Sequence, residues 1–176
     1  MSVSKQDWKD FHAGMWSQAE SAGSAAVEAF DLLVAAANSI DGVKFLELTD
    51  PDNPDSVNAL VSQAANLMSQ SITELEGLQL KGNQRRFANK NAIAVSEEAL
   101  RAVSSCSFSF NQIDSEQVRG WTLARSDVQE DGTGFDTVSS DVSSKASSVN
   151  YTLKASLEAA TGAVADLSDV SQIGMF

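Results

Sequence analysis

The stretch that decides the fold is residues 8–37, WKDFHAGMWSQAESAGSAAVEAFDLLVAAA. It contains no proline, and its only glycines, Gly14 and Gly23, are tolerated inside a helix at some cost in stability. Apolar or small residues recur at Trp8, Phe11, Met15, Ala19, Ala22, Ala26, Phe30, Leu33 and Ala37, in steps of three and four. That recurrence predicts an amphipathic helix over 4–40. Its period reads as eleven residues (Trp8–Ala19–Phe30, Phe11–Ala22–Leu33, Met15–Ala26–Ala37), or ~3.67 residues per turn, which implies a nearly straight stripe.

The far end of the chain behaves alike. Across 135–173 there is no proline and a single glycine, Gly162. The stripe Val138, Val142, Ala146, Val149, Leu153, Leu157, Ala160, Val164, Leu167 has the same eleven-residue relations and faces away from Ser, Asp and Lys. Two long helices of matched length are therefore expected to pair, within one chain or between chains. Their small residues would let the axes come close.

Residues 41–134 read as a broken helical middle. Asp41-Gly42 ends the first helix, and Lys44–Leu48 is a short strand or an extended link. Asn53 is placed as the N-cap of a helix with Pro54 at its first position. That helix runs to Leu78 on the most apolar stripe of the chain, Val57, Leu60, Val61, Ala64, Leu67, Met68, Ile72, Leu75 and Leu78. A further helix covers 85–105. Phe108 and Phe110 alternate with serines, which suggests a brief extended segment, and Ser115 then caps a short helix through Val118, Trp121, Ala124 and Val128. Asp131-Gly132-Thr133-Gly134 is a break. The fold expected is all-α: one elongated helical bundle or coiled coil over 1–176.

Composition agrees. The chain has 176 residues, 43% of them apolar but only 7% aromatic, so its apolar set is weighted to Ala and Val, which suit closely packed helices. No run reaches the roughly 18 apolar residues of a membrane span, and the first residues lack the basic-then-apolar pattern of a secretory signal. A cytoplasmic protein, or one exported without a cleaved signal, is expected, and the sequon at Asn150-Tyr151-Thr152 is read as chance. The lone Cys106 excludes an internal disulfide and is read as a semi-buried small residue.

The formal charge of −12 excludes nucleic acid as a bulk-charge partner. The charge is unevenly spread. Residues 1–80 carry −9, residues 81–125 carry +3 and residues 126–176 carry −6, and all five arginines lie in the middle segment. A basic middle between acidic ends is either a solvated helix face or a surface that pairs with acidic segments within or between molecules.

Sequence patterns for chemistry are weak. His12 is the only histidine and has no nearby cysteine, so a zinc site is not expected. Neither a phosphate-binding glycine loop nor a nucleophile elbow occurs. Asp127, Gln129, Asp131 and Gly132 mimic the start of a calcium loop, but Val138 stands where the bidentate glutamate belongs. Asp50, Asp52 and Asp55 are turn residues and a helix start. No catalytic, cofactor-binding or metal-binding residue is assigned, and no enzyme activity is expected.

Protein contact is the remaining theme. Trp16 lies off the first stripe and reads as half-exposed unless a partner covers it. Trp121 sits between Arg119 and Arg125, either as an interaction hot spot or as filling for the local core. Arg85 and Arg86 complete the set of candidate protein-interaction residues: Trp16, Arg85, Arg86, Arg119, Trp121 and Arg125. The expected function is that of a non-enzymatic structural or interaction protein, a homo-oligomer acting through helix packing. Acidic Ser/Ala-rich chains with long terminal helices are similar in general plan to type III secretion filament subunits and flagellin-like proteins, and that analogy of architecture implies a self-assembling or exported component of a bacterial secretion or surface apparatus. The alternative is a cytoplasmic helical binding module, such as an export chaperone, a granule-associated protein or a phage accessory factor.

Overall fold

The computed structural model describes residues 3–170, and leaves the side chains at 84, 87 and 115–123 undescribed. The first helix opens at Ser4, whose Oγ accepts from the Asp7 N–H at 3.2 Å while the Asp7 carboxylate accepts from the Ser4 N–H at 2.7 Å. This reciprocal cap satisfies two orphan donors of α1 (Lys5–Phe11) and holds the Asp7 carboxyl below its usual range, chiefly through the Ser4 backbone N–H.

A single π-helical turn, His12–Trp16, joins α1 to α2 (Ser17–Asn38). It changes the reading of the decisive stretch. A π turn holds one residue more than an α turn, so the buried position after Phe11 is Trp16, five residues on, and Met15 is only half-buried. From Trp16 onward Ala19, Gly23, Ala26, Phe30, Leu33 and Ala37 are buried at steps of three and four, with Val27, Ala29 and Ala36 buried beside them. Of the expected stripe, Trp8, Phe11, Ala19, Ala26, Phe30, Leu33 and Ala37 are buried, and Met15 and Ala22 are half-buried, their places in the core taken by Trp16 and Gly23. Trp16 is not half-exposed: the π turn rotates it onto the core face, where it is completely buried.

The middle is a series of helices divided by short links, with the breaks in other places than expected. Lys44–Leu48 forms neither strand nor link but lies in α3 (Gly42–Leu48), started by the Asp41 carboxylate accepting from the Lys44 N–H at 3.0 Å. Phe45 and Leu48, three apart, are its buried side chains. Helix α4 (Val57–Gly77) starts three residues later than expected, capped by Ser56 rather than Asn53. The Asn53 side chain is used elsewhere: its amide donates to the Glu47 carbonyl at 2.8 Å and its oxygen accepts from the Asp55 N–H at 3.0 Å.

After the short α5 (Asn83–Phe87), a single helix of 36 residues, α6 (Lys90–Arg125), replaces the predicted helix, extended segment and short helix. Ala92, Ser96, Ala99, Val103, Cys106, Phe110 and Ile113 are buried at steps of four and three. The serines around Phe108 thus belong to a helical rhythm: Phe110 falls on it, and Phe108 points outward at 67% exposure. A 3₁₀ turn (Phe135–Thr137) precedes α7 (Ser139–Ser168). Of the predicted C-terminal stripe, Val142 through Leu167 is buried as expected and Val138 is half-buried. The helix ends at Ser168, and residues 171–173 of the expected range lie outside the described residues.

The fold is all-α, with no strand among the described residues. Helix α2 packs on α4 and α7, and α6 closes the ring against the same two helices. Across α2 and α7, Asn38 meets Ser143, Asp31 meets Asn150, and Gly23 meets Leu157, so the two end helices run antiparallel within one chain. The Ser71 contact with Met15, together with that of Met68 with Gly23, sets α4 antiparallel to α2. One layer joins all four helices. Gly23 has no Cβ, so Leu157 and Met68 close over it, and the Met68 sulfur lies 3.7 Å from the Cys106 sulfur. Among the described residues no helix is long and apolar enough to cross a membrane.

Candidate interaction surfaces

The ring has two unlike ends. At one end, the α2–α3 link and the α6–α7 link pack backbone on backbone. A Cβ on Gly42 would stand 2.3 Å from the Gly132 carbonyl oxygen, and one on Gly134 would stand 2.4 Å from the Asp127 carbonyl oxygen. Gly132 and Gly134 also hold left-handed conformations, with φ of 88° and 95°. The Phe45 and Phe135 rings stack beside this contact, with centroids 4.6 Å apart. Arg125 reaches across from the end of α6, donating from Nη1 to the Leu46 carbonyl at 2.6 Å and to Thr49 Oγ1 at 2.9 Å. The buried Thr49 hydroxyl donates in turn to the Phe45 carbonyl at 2.7 Å.

Arg125 was expected to face a protein partner; in the structure its guanidinium ties α6 to the end of α3. Trp121 and Arg119, its companions in that expectation, have side chains outside the described residues.

Glycine placement at this end has a cost. Helix α2 closes with a complete Schellman cap: the Asp41 N–H donates to the Ala36 carbonyl at 2.8 Å, and the Ile40 N–H to the Ala37 carbonyl at 3.2 Å. The cap residue in the left-handed region is normally glycine or asparagine. Here it is Ile40, with φ of 55°, a genuine outlier for a β-branched side chain. The nearby Gly42 cannot serve, because it is needed two residues later for the approach of Gly132. Ile40 gains little burial in return: it is 55% exposed, as is Val43 at the start of α3.

The two links that meet at this end are acidic. Residues 39–56 and 125–141 hold ten acidic residues against Lys44 and Arg125. Within the suspected calcium loop, the Thr133 N–H donates to the Asp131 carboxylate at 3.0 Å, which with the Thr133 hydroxyl keeps that carboxyl below its usual range. Among the described residues no group of three or more His, Cys, Asp or Glu is placed to hold a metal ion.

The opposite end carries the α4–α6 turn. Lys81, Arg85, Arg86 and Lys90 are exposed there. Arg85 pairs with Glu97 at 2.6 Å, and Arg101 pairs with Glu98. Over residues 74–101 five cations stand against four carboxylates, since Glu74 and Glu76 are exposed at the end of α4. The basic middle of the sequence is thus divided: four of its cations crown one end, and Arg125 turns inward at the other.

The sides of the ring are different again. A shallow groove between α2 and α7 is lined by Ala37, Asn38, Ile40 and the serines at 139, 140, 143, 144 and 147, with Ser143 Oγ donating to Asn38 Oδ1 at 2.8 Å. The other large exposed apolar side chains, Leu32, Phe108 and Tyr151, stand on three different helices. Cys106 is buried, and its surroundings push the thiol up to about 12, with the Ser156 hydroxyl opposing the shift. The sequence signal that marks the tip was available in Asn38-Ser39-Ile40-Asp41-Gly42, since a helix stop with its glycine two residues late is unusual. Comparison with protein-family models, curated proteins and solved structures gives no match in any of the three.

Proposed function

We propose that this protein is a non-enzymatic structural protein that works by associating with further copies of itself. The observation that supports the reading is the uneven spread of charge: ten carboxylates against two cations in the two interlocked links, and four exposed cations clustered on the α4–α6 turn. At physiological ionic strength charges are screened beyond about 8 Å. Neighbouring molecules therefore sense each other's ends rather than the total charge of −12. A self-assembling filament component of a bacterial secretion or surface apparatus is one setting for such a protein. The other reading, a cytoplasmic helical binding module, calls for a continuous apolar groove, whereas the groove along α2 and α7 is lined mainly by serines.

The test is molar mass in solution against protein concentration, at ~0.1 M and ~1 M salt, where the Debye length falls from about 10 to 3 Å. Mass that climbs with concentration and falls back at high salt supports the reading. A monomer at every concentration overturns it.

A further inference from the structure

We draw no further inference here: the strongest candidate, the exposed apolar pair Ile40 and Val43 at the tip where the two links interlock, with Ile40 also lining the shallow serine groove between α2 and α7, is an unpartnered apolar surface and nothing in the structure shows what covers it.

Discussion

Replacing Ile40 in parallel by glycine and by alanine isolates the strain at the end of α2. Both substitutions remove the side chain beyond Cβ, so whatever the exposed isoleucine contributes is lost equally from each. What differs is the Cβ itself. In the left-handed region an L-residue is disfavoured by about 1–2 kcal/mol relative to glycine. Glycine loses more backbone freedom on folding, about 0.5–1 kcal/mol more than alanine. The difference leaves Ile40→Gly more stable than Ile40→Ala by about 0.5–1 kcal/mol. For a chain of 176 residues that corresponds to roughly 1–4 °C in Tm. The assay is paired thermal or urea unfolding of the two variants under identical conditions. At an ordinary helical position the order reverses, with alanine ahead by about 1 kcal/mol. An alanine variant as stable as the glycine variant, or more so, would refute the argument that the φ of 55° at Ile40 stores strain.

Four further outcomes are expected. Gly42→Ala forces a Cβ to 2.3 Å from the Gly132 carbonyl oxygen, so it should destabilise by several times the Ile40 effect, on the order of 3 kcal/mol or more; a loss under ~1 kcal/mol in urea unfolding would show that the two links give way easily. Arg125→Ala removes hydrogen bonds to the Leu46 carbonyl and Thr49 Oγ1 and should cost about 2 kcal/mol, with faster amide exchange in α3; unchanged exchange there would contradict the clamp. Asn150 donates to Asp31 at 2.6 Å while its buried Oδ1 has no acceptor role among the described residues, so Asn150→Leu should leave stability unchanged or raise it by about 1 kcal/mol; a clear loss would mean that the oxygen has a partner. Burial raises the Cys106 thiol from its ordinary 9.0 to about 12. Above pH 9 the unfolded thiol releases its proton while the folded one keeps it, so stability that is complete below pH 9 drains away toward pH 12, by up to about 1.4 kcal/mol per pH unit. That slope should vanish in Cys106→Ala, and a slope equal in both proteins would assign it to other groups.

How much was legible in the sequence follows from how far each signal is local. The C-terminal stripe survives intact because nothing interrupts the α-helical period between Val142 and Leu167. The stripe of α4 was readable for the same reason, and only its start was displaced, because Ser56 competes with Asn53 and the Asn53 side chain is drawn to the Glu47 carbonyl. The first helix was legible as a helix, and its stripe missed only the places where Trp16 and Gly23 are buried instead of Met15 and Ala22. A π turn has no side-chain signature as strong as a glycine or proline, and Met15 beside Trp16 offered an apolar residue for either register. Helix α6 was cut in three because serines interleaved with Phe108 and Phe110 imitate a strand over four residues, while the seven-residue rhythm that overrules them needs the whole span from Ala92 to Ile113. The tip lay furthest from view. Its glycines are placed by contacts between links about ninety residues apart, and such a contact leaves no pattern in either link taken alone.

The π turn has a consequence for how the chain tolerates insertion and deletion. It makes His12–Trp16 a phase joint between two apolar faces, each of which is correct on its own side. Losing one residue at Gly14, whose missing side chain would touch nothing, looks harmless from the surface. It would restore a regular α turn with Phe11 and Trp16 four residues apart, so the two apolar faces keep their phase and Trp8 and Phe11 stay in the core. Losing a residue inside α1 or α2 instead would swing the side chains on one side of it by about 100°. The extra residue of the joint is therefore the one position in this helix where a single deletion costs no register.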